Sequence, residues 1–145
     1  MENKIGLASD HVGYELKEYI IKLLESNSIQ YIDYGTYSNE STNYAIFGHR
    51  LANAIEQNEV QKGIAICSTG NGISMTLNKH KNIRAALCWN EEIAKLARAH
   101  NDANVLSLPG RFISLYLAEK IVHTFINTSF EGGRHQCRIE AIDLC

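Results

Sequence analysis

Apolar residues follow two different periods along this chain, and the period switches repeatedly. Ile5-Gly6-Leu7-Ala8 is a short apolar run closing at Ser9-Asp10, the pattern of a buried strand. From about Tyr14 the apolar positions become Leu16, Ile20, Leu23 and Leu24, which share one face of a helix. Residues 29–34 predict a second strand, closed by Gly35-Thr36. Phe47, Leu51, Ala54 and Ile55 mark a second helix, and residues 63–67 a third strand. A short helix follows the glycines at 70 and 72, and residues 83–88 read as a fourth strand. Ile93, Leu96 and Ala97 form the inner face of a helix over about 91–100. Residues 105–108 make a fifth strand, punctuated by Pro109-Gly110. Ala118, Ile121, Val122 and Phe125 place a long helix after it, and a last helix begins within residues 132–138.

Strands alternating with helices predict an α/β fold with a parallel sheet covered on both faces. Right-handed crossovers make it an open, doubly wound, Rossmann-like sheet of five strands with a C-terminal helical tail. No repeat, low-complexity run or linker interrupts the pattern, so residues 1–145 read as one domain. Such sheets bind ligands outside the carboxyl ends of their strands. That rule directs attention to Ser9-Asp10-His11, Gly35-Thr36, residues 67–72 and Pro109-Gly110-Arg111.

Composition narrows the function by exclusion. The 145 residues are 45% hydrophobic and 21% charged with a formal net charge of −2, which lacks the basic footprint of a nucleic-acid binder. No stretch approaches the roughly 20 apolar residues of a membrane span. Met-Glu-Asn-Lys before a five-residue apolar run does not read as a signal peptide, so a cytoplasmic protein is expected. Cys67, Cys88, Cys137 and Cys145 contain no Cys-x-x-Cys pair, which argues against both a zinc site and a disulfide framework. His-Glu-x-x-His is absent and the carboxylates do not cluster, so no metal site is expected.

The richest stretch runs from Cys67 to Ser74. Gly70 and Gly72 permit close approach of a ligand to backbone, and amides opening a helix favour negative charge. Met75 stands where a dinucleotide fingerprint needs its third glycine, and no Gly-Lys-Ser/Thr follows, so both nucleotide motifs fail. A tight strand-to-helix bend or a small anion cradle with a cysteine at its mouth remains. Cys67 reads either as a small buried hydrophobe or as a thiolate favoured by the oriented amides and suited to act as a base. Cys88 reads as structural, and Cys137 and Cys145 suggest no chemistry. Asp10-His11 is either a helix cap or a polar pair facing a ligand. His100, before Asn101-Asp102, is either a buried structural imidazole or a cation at a helix end. His49, His80 and His123 read as surface residues. Arg134 and Arg138 share a helix face, and with Arg111 they could clamp a phosphate.

Taken together, these motifs resemble the type B ribose-5-phosphate isomerase family, which includes galactose-6-phosphate isomerases. The resemblance runs nearly end to end: Ser9-Asp10-His11-x-Gly13 with Leu16-Lys17, Tyr34-Gly35-Thr36, the loop from Cys67 to Ser74, and Asn78-Lys79 with Ile83-Arg84-Ala85-Ala86. It continues through residues 100–105 and Gly132-Gly133-Arg134-His135-Gln136 with Arg138. It implies interconversion of D-ribose 5-phosphate and D-ribulose 5-phosphate in the non-oxidative pentose phosphate pathway, through ring opening and a cis-enediolate, without metal or organic cofactor. By that resemblance Cys67 is the base and His100 opens the ring. The amides of Ser68, Thr69, Gly70, Asn71 and Gly72, with the Thr69 side chain, hold the developing oxyanion. Arg111, Arg134 and Arg138 hold phosphate with His11 nearby, and Asp10 and Asn101 bind sugar hydroxyls. The chain departs from the family at Asn43-Tyr44-Ala45, where Asp-Tyr-Pro is common, at Ser68 for glycine, and at Pro109-Gly110 for Gly-Ala. A six-carbon sugar phosphate is the nearest rival substrate, and a non-catalytic sugar-phosphate-binding module the rival class. Because His100 ends the helix before the fifth strand, it is expected at the opposite edge of the sheet from Cys67. A homodimer or dimer of dimers with sites shared across its interface follows, with no nucleic-acid or membrane partner.

Overall fold

The computed structural model describes residues 3–143. Its strands are β1 (Ile5–Ser9), β2 (Tyr31–Asp33), β3 (Lys62–Cys67), β4 (Ala85–Leu87) and β5 (Val105–Pro109). Its helices are α1 (Tyr14–Ser26), α2 (Tyr44–Glu56), α3 (Asn71–Leu77), α4 (Glu91–Ala99), α5 (Leu115–Asn127) and α6 (Arg134–Glu140). All strand pairs are parallel, in the order β2-β1-β3-β5-β4, so the expected doubly wound sheet is present. β2 and β4 are shorter than the apolar pattern suggested. Both lie at sheet edges, where only one neighbour supplies a ladder. β5 runs one residue further than expected, because Pro109 can occupy the last strand position without donating to the ladder.

The strand sequences decide how near each helix layer comes. Ile5, Leu7, Ile64, Ile66, Leu106 and Leu108 point to one face and pack with α1, α4 and α5. The alternate positions Ala8, Ala65, Cys67 and Val105 point to α2 and α3, as the two-residue strand period requires. Gly6 and Gly63 admit α2 to that second face. A Cβ on Gly6 would lie 2.5 Å from Leu51 Cδ1, and one on Gly63 2.9 Å from Leu51 Cδ2. The chain turns one way from β1 to β2 and the other way to β3, so the crevice above β1 and β3 is the topological switch point where such sheets bind ligands.

One buried charge gave no signal in the apolar pattern. Lys17 on α1 is fully buried, and its Nζ lies 2.6 Å from Asp33 Oδ2. Asp33 Oδ1 also accepts the Gly35 amide at 2.9 Å. The pair therefore joins α1 to the turn leaving β2, near the same crevice.

Candidate active site

Three strand ends meet at the crevice. The Gly110 amide donates to the Cys67 carbonyl at 2.9 Å, the Arg111 amide to Ser68 at 3.0 Å, and the Asp10 amide to Ile66 at 3.2 Å. Close backbone approach makes this possible. A Cβ on Gly13 would lie 2.7 Å from the Ile66 carbonyl oxygen, and one on Gly110 3.4 Å from that of Cys67. Cys67 is the last residue of β3, and it is buried where the chain turns into α3.

That turn is rigidly specified. Gly70 has φ +76°, the left-handed region that favours glycine. The Thr69 hydroxyl accepts the Asn71 amide at 3.2 Å, and the Ser74 hydroxyl donates to the Gly70 carbonyl at 2.7 Å. The Tyr44 ring packs on Gly72, where a Cβ would lie 2.4 Å from Tyr44 Cζ. Amides in the first turn of a helix have no intrahelical acceptor, so Gly72 and its neighbour Ile73 can donate to a ligand above Cys67.

Asp10 and His11 each hold a backbone amide near the end of β1. Asp10 Oδ1 accepts the Gly13 amide at 3.0 Å and so shapes the approach to α1. His11 Nδ1 accepts the Thr42 amide at 3.1 Å, which leaves its ring proton on Nε2 as a donor. At the first departure from the family pattern, Asn43 caps α2, its Oδ1 accepting the Ala45 amide at 2.9 Å.

A second polar group lies at the other end of the strands. His100 caps the C-terminus of α4 and is half-buried, with 35% of its side chain exposed. Its ring stacks on His135, centroids 4.2 Å apart and planes 16° from parallel. The Glu131 amide donates to Ala99 at 3.0 Å, tying the start of the tail to the end of α4. Asp102 receives Arg98 at 2.8 Å and Arg84 at 3.2 Å, which fixes the loop carrying the exposed Asn101. Arg134 and Arg138 sit four apart on α6 and are exposed.

The two groups are separated along the strands, not across the sheet as expected. Gly63 pairs with Val105 and Cys67 with Pro109, so about 13 Å of strand lies between them. β3 and β5 are neighbours, but α4 runs back to the amino ends before His100. For the same reason Arg111, beside Ser68, cannot form one clamp with Arg134 and Arg138 of its own chain.

Two further side-chain clusters escaped the sequence reading. His80, expected at the surface, is partly buried, with His49 Nδ1 2.7 Å from its Nε2 and Glu56 Oε2 3.2 Å from its Nδ1. The expectation that no metal-ligand set exists also changes, because His100, Glu131 and His135 bring ligand atoms within 4.8 Å of one another. The thirty-odd residues between His100 and Glu131 hide that grouping from spacing; only the Glu131–His135 interval of four hints at it. Cys88 is structural as expected: burial pushes its thiol up to about 12. Cys137 is exposed on α6, and Cys145 lies outside the described residues.

Burial, the His100 ring and then Arg134 hold the His135 imidazole below its ordinary range. Below about pH 6.5 the unfolded chain takes up this proton while the folded chain resists it, so stability falls as pH is lowered until the folded value is passed. His135→Asn should flatten that acid slope, measured as urea midpoints at about pH 7 and about pH 5. An unchanged slope would contradict this assignment.

The geometry finds counterparts in known proteins. The family model described as Ribose/Galactose Isomerase matches residues 5–142. Ribose-5-phosphate isomerase B of Escherichia coli is 45% identical over 139 residues, covering 96% of this chain and 93% of that protein. The Thermotoga maritima ribose 5-phosphate isomerase structure superimposes with a TM-score of 0.96 at 47% identity, covering 99% of both chains. The Mycoplasma genitalium ribose-5-phosphate isomerase B structure, with bound ribulose-5-phosphate, gives 0.93 at 41% identity, covering 98% of this chain and 95% of that one. The chain belongs to the ribose/galactose isomerase family.

Proposed function

We propose that the protein is an aldose-ketose isomerase interconverting D-ribose 5-phosphate and D-ribulose 5-phosphate, with Cys67 as its base. The observation that carries the mechanism is the buried Cys67 ending β3 at the sheet's switch point, just before the glycine turn that opens α3. His100 assists ring opening by moving a proton at the ring oxygen. The Cys67 thiolate takes the C2 proton, and the electron pair passes to the carbonyl oxygen, giving the cis-enediolate. The unpaired amides of the turn over residues 68–72, with the Thr69 hydroxyl, stabilise that oxyanion where charge develops. Return of the proton at C1, with a proton passing from O2 to O1, completes the ketose. Asp10 and Asn101 bind sugar hydroxyls, and His11 donates from Nε2 to the phosphate alongside Arg111, Arg134 and Arg138.

The proposal requires two chains. With Cys67 and His100 at opposite ends of the strands, one site takes its base from one protomer and its ring-opening group and two arginines from its partner. A closed two-fold arrangement then builds two identical sites, in a homodimer or a dimer of dimers. No helix among the described residues is long and apolar enough to cross a membrane, which fits the proposed cytoplasmic place in the non-oxidative pentose phosphate pathway. Purified protein supplied with ribose 5-phosphate and no added metal should produce ribulose 5-phosphate faster than it turns over allose or galactose 6-phosphate. A six-carbon preference would reassign the substrate, and binding without turnover of any of the three would overturn the enzyme.

A further inference from the structure

We propose that His100, Glu131 and His135 form a binding site for a zinc-like transition-metal ion, and that its occupancy switches the isomerase off. The three ligand atoms already lie within 4.8 Å of one another. Glu131 Oε2 stands 3.8 Å from His100 Nε2 and 3.6 Å from His135 Nε2, too far for hydrogen bonds. His135 Nε2 is buried and has no hydrogen-bond partner among the described residues. A buried polar atom left unpaired is costly, and a metal ion would supply the missing partner.

The ligand chemistry selects the class of ion. Two imidazoles and one carboxylate suit zinc, nickel or copper, whereas magnesium and calcium prefer all-oxygen surroundings. Bond lengths near about 2.0–2.2 Å require the ligands to close around the ion. The stacked rings must also splay, since their lone pairs now run side by side. His100, with 35% of its side chain exposed, has room to swing, while the buried His135 stays. Three protein ligands leave a fourth position for water.

The metal would occupy the His100 nitrogen that faces Glu131. The inhibitory half of the proposal rests on His100 as the ring-opening group; the binding half does not.

The binding test uses the full chain carrying C67A, C137A and C145A, which leaves buried Cys88 as the only thiol. Cobalt(II) and zinc titrations should reach one equivalent per chain, with a cobalt spectrum of nitrogen and oxygen ligation and no competition from magnesium. Glu131→Gln, at an exposed position, should weaken binding by about tenfold or more. His135→Asn, with folding verified by circular dichroism, should do the same. No stoichiometric binding, or binding unchanged by both substitutions, overturns the site. In the natural sequence zinc should inhibit turnover, and E131Q should need about tenfold more zinc for the same fractional inhibition. Stoichiometric binding without inhibition overturns the switch. Metal-free protein inactive on ribose 5-phosphate would instead fail the functional reading and leave the binding result standing.

Discussion

Cys67→Ala should lower kcat for ribose 5-phosphate by about 10²–10⁴-fold, the usual contribution of a positioned general base. Substrate binding should change little, because the groups assigned to phosphate and hydroxyls all remain. The substitution removes one sulfur from a site that is 3% exposed, so the fold should survive and the loss should be chemical. Rapid measurement of both kcat and KM separates these effects: a transition-state loss lowers kcat and kcat/KM together. Cys88→Ala is the control. That thiol is fully buried and held protonated by burial, and its removal should leave kcat in place.

Gly70→Ala should cost about 10²–10³-fold in kcat, the effect of losing one aligned oxyanion donor. At φ +76° an L-residue carries strain of about 1–2 kcal/mol. The added Cβ would also fall 2.4 Å from Leu87 Cδ1 and 3.1 Å from the Leu108 carbonyl carbon. The Leu87 methyl can move aside, but the Leu108 backbone belongs to β5 and cannot. The turn must shift instead, carrying its amides away from the position above Cys67. Steady-state kinetics beside a thermal melt would check this. A variant that melts normally yet keeps full kcat would show that the turn does not hold the oxyanion.

How much of this was legible in the sequence differs from element to element. The strand-and-helix alternation was readable because each strand is a short apolar run flanked by glycine, proline or a polar residue. The loops proposed to face the ligand followed from the carboxyl-end rule, and the Cys67–Ser74 turn stands out by its glycines. Edge-strand lengths were not readable, since they depend on where a neighbour stops pairing. Lys17 was invisible for a related reason: its partner Asp33 lies on β2, and nothing local marks a lysine as buried. The end of the sheet that receives Arg134 and Arg138 was not readable, because helical spacing places the two together but says nothing about where α6 packs. The stacking of His135 on His100 is likewise a product of the tail folding back onto α4.

The arrangement of half-sites is the centre of the account, and subunit complementation tests it most directly. C67A and H100A proteins, each nearly inactive alone, would be mixed in equal amounts under conditions where protomers exchange. Each mixed dimer would own one site with both groups intact and one with neither, so random pairing should restore about a quarter of the natural activity. Exchange verified by mass labelling, with activity still at the level of the separate variants, would contradict a site shared between protomers.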